Sequence, residues 1–181
     1  MKCSGIHVLF AASEMAPYAY TGGLGDVIGS LPAALAGLGV EVTVALPYYR
    51  RVRQSGLAVS VIGGEYSAPV GGSGLGYRLL EARVDRVRLV FIDRPEFFDR
   101  DGLYLDDSGS EWPDNAWRYT FFSRAVLDLA LSMEPRPRII HCHDWQTGLV
   151  PAYLSTVFSL DRRFENTASV FTIHNIGYQG I

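Results

Sequence analysis

The tightest limit on the fold comes from a short apolar run near the start of the chain, where Ile6, Val8, Leu9, Phe10 and Ala11 leave no polar face. A strand that is apolar on both alternating sides must be covered on both sides, as in a parallel sheet held between layers of helix. The next residues suit that arrangement. Thr21, Gly22, Gly23, Leu24, Gly25 and Asp26 lead into a predicted helix with an apolar stripe of Val27, Ile28, Leu31, Ala34, Leu35 and Leu38, which Gly39 stops as a C-terminal cap. Val40, Val42, Val44 and Leu46 then read as a second strand, so residues 1–46 form one strand-helix-strand unit with a right-handed crossover. The fold class expected is α/β, with a Rossmann-like, mostly parallel sheet flanked by helices.

Further along, Leu57 to Ile62, Tyr77 to Val84 and Val87 to Ile92 read as strands, with a hairpin or flexible loop through Gly71, Gly72, Gly74 and Gly76. Asp99 to Asp114 is acidic and aromatic and reads as a surface loop of a length that often carries function. Pro113 and Asp114 open a long helix that Pro135 and Pro137 close. Ile139 and Ile140 begin a strand, Thr147 to Phe158 a helix, and Val170 to Ile173 the last strand. At 181 residues the whole chain, 1–181, is expected to be a single domain.

Composition removes several classes of partner. The formal net charge is −3 and Lys2 is the only lysine, so no broad positive field would gather a nucleic acid. No apolar segment reaches the roughly 20 residues that span a bilayer, so no membrane is expected. The two cysteines, Cys3 and Cys142, are far apart, and Cys142 sits between two histidines in an apolar run. That usage fits reduced thiols and a cytoplasmic protein better than a disulfide scaffold.

Two motifs carry chemistry. The turn Gly22-Gly23-Leu24-Gly25-Asp26 joins a strand to a helix, so its amides and the helix N-terminus can hold a phosphate, while tight packing of helix on strand accounts for the same glycines. A dinucleotide fold would want the fuller glycine spacing and an acidic residue ending the second strand, where Leu46 and Pro47 stand instead. His141-Cys142-His143-Asp144-Trp145 ends one strand and His174-Asn175 ends the next, the position where open α/β sheets bind ligands. His141 and His143 share a face and could serve as core histidines. A metal would need a third ligand such as Asp144 or His174. Hydrogen bonding to a polar substrate is the favoured use: a carboxylate, an imidazole, an amide and an indole in one cleft suit a sugar, whose hydroxyls need mixed partners and whose apolar face stacks on an aromatic ring.

Taken in order, the stretches Ser13-Glu14-Met15-Ala16-Pro17, Thr21-Gly22-Gly23-Leu24-Gly25-Asp26-Val27, Pro113-Asp114-Asn115, His141 to Gly148 and Thr172 to Gly180 resemble the signature blocks of bacterial glycogen synthases and plant starch synthases, the ADP-glucose-dependent glycosyltransferases of family 5. The resemblance implies the N-terminal, acceptor-side half of the two-domain architecture called GT-B. It further implies a C-terminal domain that supplies most of the donor site, and ADP-glucose and an α-1,4-glucan as partners. The implied reaction is retaining transfer of glucose to the glucan's non-reducing end, with no metal or other cofactor. Because Tyr178 to Ile181 belong to a motif that normally runs on, the 181 residues alone are expected to be inactive. A glucan-binding or regulatory module, or a transferase using another nucleotide sugar, is the alternative.

Carried over by position, Asp144 and His174 would hold the transferred glucose as the catalytic pair. Tyr20, Thr21, Gly22, Gly23 and Asp26 would form the phosphate side. Glu14, Tyr104, Trp145, Gln146 and Asn175 would shape the sugar and acceptor path. The family usually has a lysine where this chain has Tyr20, and losing that charge-assisted contact is expected to weaken phosphate binding by roughly 1.5 to 3 kcal/mol. Gln146 stands where many relatives have a second histidine, keeping hydrogen bonding without titration.

Overall fold

The apolar first strand lies in the middle of a seven-stranded sheet, described by a computed structural model over residues 5–180. Lys2, Cys3 and Ile181 lie outside the described residues. The strands are β1 (His7–Ala11), β2 (Glu41–Pro47), β3 (Ser60–Val70), β4 (Ser73–Val84), β5 (Val87–Asp93), β6 (Ile139–His143) and β7 (Ala168–Thr172), in the spatial order β3-β4-β5-β2-β1-β6-β7. The five strands from β5 to β7 run parallel, and β4 and β3 add an antiparallel edge. Every residue of β1 is buried. The helices are α1 (Gly23–Gly37), α2 (Arg50–Gln54), α3 (Pro95–Phe98), α4 (Asn115–Ser132) and α5 (Leu149–Ser155). The α/β class and the parallel central sheet are as expected.

Several local expectations change. In α1 the buried face is Leu24, Gly25, Ile28, Pro32 and Ala36, so the predicted stripe is rotated: Ala34 is exposed and Leu38 is 64% exposed. Small and ring-closed residues let that side approach the sheet, which an apolar stripe counted on large side chains misses. The third strand is longer than predicted. β3 takes in Gly63 and Gly64 at an irregularity in its pairing between Ile62 and Glu65, and Pro69 is tolerated because β3 is an edge strand. Gly71 and Gly72, with φ of 56° and 82°, make the two-residue hairpin turn, and Gly74 and Gly76 belong to β4 rather than to a loop.

The helix predicted over Thr147 to Phe158 is two pieces, a 3-10 turn at Trp145–Thr147 and then α5. The short helices α2 and α3 have no periodic signal in sequence. The stretch Asp99 to Asp114 is not only surface, because Leu103 is buried. An unusual device holds it down. Arg118 of α4, fully buried, donates from Nη2 to the Leu103 carbonyl at 3.1 Å and from Nη1 to Asn115 Oδ1 at 2.7 Å, while Asn115 Nδ2 donates to the Tyr104 carbonyl at 3.0 Å. The guanidinium lies over the Phe98 and Tyr119 rings, within an aromatic core that also holds Phe97, Phe121 and Phe122. Among the described residues no helix is long and apolar enough to cross a membrane.

Candidate active site

A cleft of about 660 Å³ opens where the C-terminal ends of β1, β6 and β7 meet the first turn of α1 and the loop through Tyr104. Its centre on the α1 side is Glu14, only 4% exposed. The Glu14 carboxylate accepts from the Thr21 amide at 2.6 Å, the Thr21 hydroxyl at 2.8 Å, the Gly22 amide at 3.3 Å and the Tyr104 hydroxyl at 2.7 Å. Because the Tyr104 proton goes to Glu14, the Ser13 hydroxyl, 2.7 Å away, donates to the Tyr104 oxygen. Burial, then the neighbouring Tyr119 and Glu14, hold the Tyr104 hydroxyl well above its usual range, so it stays a donor at neutral pH.

That arrangement redistributes the glycine turn. The amides of Thr21 and Gly22 are spent on Glu14 and that of Gly25 donates to the Gly22 carbonyl at 3.0 Å, which leaves the amides of Gly23 and Leu24 as the open donors at this helix end. The two roles of the glycines also separate. A side chain at Gly22 or Gly23 would meet no atom within 4 Å, whereas a Cβ at Gly25 would overlap the Cβ of Tyr20, and at Gly29 it would come to 3.0 Å of the Ala16 carbonyl. Close packing therefore explains Gly25 and Gly29, and open approach describes Gly22 and Gly23.

On the β6 side, Asp144 follows the strand with φ 56° and ψ −178°, a region nearly reserved for glycine that costs about 1 to 3 kcal/mol. Hydrogen bonds on every side hold it. Its amide donates to the Thr172 carbonyl at 3.0 Å, its carbonyl accepts from the Thr147 amide at 3.1 Å, and its Oδ1 accepts from the His174 amide at 2.7 Å. Trp145 packs edge-on to Tyr119, with ring centroids 5.1 Å apart, and Gly180, at φ 73°, lies so close to the indole that a Cβ there would press on it.

Three imidazoles run inward from this wall, starting at His174: the rings of His141 and His143 are 4.1 Å apart and those of His143 and His174 5.1 Å, with His143 Nδ1 and His174 Nε2 in a 2.8 Å hydrogen bond. Burial, then His141 and His174, push the His143 imidazole down to about 3, and burial followed by His174 lowers that of His141. Cys142 is a buried free thiol pushed up to about 12 by burial. No group of three or more His, Cys, Asp or Glu side chains suited to a metal ion occurs among the described residues.

Of the residues singled out in sequence, Glu14, Thr21, Gly22, Gly23, Tyr104, Asp144, Trp145, Gln146, His174 and Asn175 all line the cleft. Tyr20 and Asp26 do not. Tyr20 turns its carbonyl to Arg51, whose Nη1 donates to it at 3.2 Å, and Asp26 is exposed on the first turn of α1, where a carboxylate complements the helix dipole. Sequence reading missed Arg51, Asp106, Glu111 and Tyr178, which also line the cleft. Arg51 is the one arginine of that lining, and only the fold of α2 beside the glycine turn reveals it.

Comparison with known proteins places this geometry in a family. The profile of the starch synthase catalytic domain matches residues 7–181. Glycogen synthase from Syntrophotalea carbinolica is 43% identical over 97% of this chain, and glycogen synthase 2 from Geobacter sulfurreducens is 44% identical over 96%. The chain spans 36% of the length of each. Among solved structures, the catalytic domain of starch synthase IV from Arabidopsis thaliana, bound to ADP and acarbose, superposes with a TM-score of 0.85 at 32% identity, over 97% of this chain and 35% of that one. The chain belongs to the starch synthase catalytic domain family.

Proposed function

We propose that this chain forms the acceptor-side wall of a glucosyltransferase cleft and, joined to a C-terminal domain, transfers glucose from ADP-glucose to the non-reducing end of an α-1,4-glucan with retention. The observation that carries the proposal is the convergence on one cleft of an α1 N-terminus with unspent amides, a carboxylate and an imidazole just past the ends of β6 and β7, and an aromatic wall. The Arabidopsis relative was solved with ADP and acarbose, a nucleoside diphosphate and a carbohydrate-like ligand.

In this reading the amides of Gly23 and Leu24, with Arg51 beside them, face the diphosphate and offset the charge that develops as it leaves. Thr21 and Gly22 contribute indirectly, by locking Glu14. Asp144 and His174 hold the transferred glucose, and Glu14, Tyr104, Trp145, Gln146 and Asn175 shape the path of sugar and acceptor. These groups act by positioning and charge stabilisation, and the departing phosphate itself takes the proton of the incoming hydroxyl. A cytoplasmic location and the absence of any cofactor requirement belong to the same proposal.

The test is glucosyl transfer by the full-length gene product, followed as radiolabelled glucose from ADP-glucose incorporated into glycogen. Incorporation that chain-end analysis places at α-1,4 linkages supports the proposal. Turnover of UDP-glucose or GDP-glucose in preference to ADP-glucose would reassign the donor, and glucan binding without turnover of any donor would leave a binding module in place of an enzyme.

A further inference from the structure

The cleft has a buried partner that does not line it. We infer that His143 is a positioning residue that decides which nitrogen of His174 carries the proton, so that His174 presents an N–H donor at Nδ1 to the ligand. The ligand being a sugar rests on the function proposed above; the proton placement does not.

His143 is the last residue of β6 and is completely buried. Its Nδ1 lies 2.8 Å from His174 Nε2, and its own Nε2 is buried without a hydrogen-bond partner. A neutral imidazole has one N–H and one bare nitrogen, so two arrangements satisfy the short contact. If His174 donated, the His143 proton would sit on Nε2, an N–H sealed from water with no acceptor. If His143 donates from Nδ1, the sealed atom is a bare lone pair. Buried N–H groups without acceptors are the rarer defect in folded proteins, because the donor loses its full hydration. The second arrangement therefore holds: His143 donates, His174 Nε2 accepts, and the remaining His174 proton is on Nδ1.

A third arrangement, with His143 doubly protonated, is opposed by its surroundings. The apolar Phe10 ring stacks on one face at 5.6 Å, and the titratable rings packed on it among the described residues, His141 and His174, would repel a second proton. The main chain of His174 is fixed as well, by its amide bond to Asp144 Oδ1 at 2.7 Å. With Nε2 taken and the backbone clamped, Nδ1 is the ring nitrogen left for a ligand. An N–H there suits a hydroxyl or ring oxygen of a hexose, each of which can accept a hydrogen bond.

Long-range proton–nitrogen correlation of the full-length protein labelled with ¹⁵N-histidine, assigned with His143→Asn and His174→Asn, reads the tautomer without any substrate. The expected result is His174 protonated at Nδ1 and bare at Nε2. His143→Asn, whose amide can still donate, keeps that signature. His143→Phe, similar in shape but without a donor, lets the His174 proton redistribute to Nε2 and lowers kcat/KM for ADP-glucose about tenfold, the worth of one well-placed hydrogen bond. His174 found protonated at Nε2 in the wild-type protein overturns the inference, as does an unchanged tautomer in a folded His143→Phe variant. Should His143→Phe not fold, the wild-type spectrum alone decides. An Nδ1-protonated His174 in a protein that transfers no glucose sinks the proposed function and leaves this inference standing.

Discussion

Glu14 is the residue on which the glycine side of the cleft turns, since one carboxylate takes four hydrogen bonds from Thr21, Gly22 and Tyr104. Glu14→Gln keeps the shape but replaces one acceptor oxygen with a donor facing donors. A stability loss of roughly 1 to 3 kcal/mol is expected, measured by urea unfolding, and a variant as stable as the parent would show that these bonds contribute nothing net. At Tyr20, Arg51 already brings one positive charge near the turn, bonded to the Tyr20 carbonyl. Under the proposed function, Tyr20→Lys in the full-length enzyme raises kcat/KM for ADP-glucose by about tenfold, as one added charge-assisted contact would; an unchanged value means that Arg51 or the helix end suffices. His143 predicts a pH dependence. Its imidazole is pushed from the usual 6.5 to about 3 in the fold, so below about pH 6.5 the unfolded chain binds the proton that the folded chain refuses. Stability is then complete above that pH and falls as the pH drops toward 3, by at most about 1.4 kcal/mol per pH unit from this residue, with His141 adding in the same direction. Urea unfolding between about pH 7.5 and pH 5 checks this, and His143→Asn should flatten the slope.

At the scale of elements, α1 does two jobs with neighbouring glycines. A Cβ added at Gly25 would meet the Cβ of Tyr20 and the carboxylate of Glu14, while one added at Gly23 would meet nothing within 4 Å. Gly25→Ala is expected to destabilise by about 1 to 3 kcal/mol despite alanine's better helix propensity, because the backbone there has no room to yield. Under the proposed function, Gly23→Ala should leave thermal stability unchanged or slightly raised and weaken ADP binding, measured by calorimetry on the full-length protein. Equal ADP affinity in Gly23→Ala would remove the first turn of α1 from the proposed phosphate site. The α4 element works in the same double way: its aromatic face fills the core, and buried Arg118 with Asn115 reaches out to hold the loop that carries Tyr104.

For the whole molecule, strand order matters most. β1 and β6 are neighbours in the sheet although well over a hundred residues separate them in sequence, and β7 lies beside β6, so Glu14, Asp144 and His174 arrive at one end of adjacent strands. β7 is at the edge of the sheet and largely exposed, with Val170 43% and Phe171 41% accessible and Ile173, just after it, 54%. An edge with this much apolar surface favours association. Residues 1–181 prepared as a separate polypeptide are expected to self-associate and to transfer no glucose. A monomer by sedimentation would contradict the first expectation, and glucan extension in the radiolabel assay the second. The α/β class, the strand-helix-strand opening and the glycine turn and strand-end groups of the cleft lining were legible in the sequence, because burial on both faces of a parallel strand, glycine at a strand-helix turn and polar groups at strand ends are local chemical necessities, whereas Glu14, Tyr104 and Gln146 were singled out only through the family resemblance. Only the tertiary structure decided that Glu14 occupies the Thr21 and Gly22 amides, that Arg51 lies beside the turn, that α1 buries its small-residue side, and that His143 stands behind His174. Those facts depend on contacts between residues distant in the chain, and no period or spacing encodes which hydrogen-bond donor a buried carboxylate or imidazole will meet.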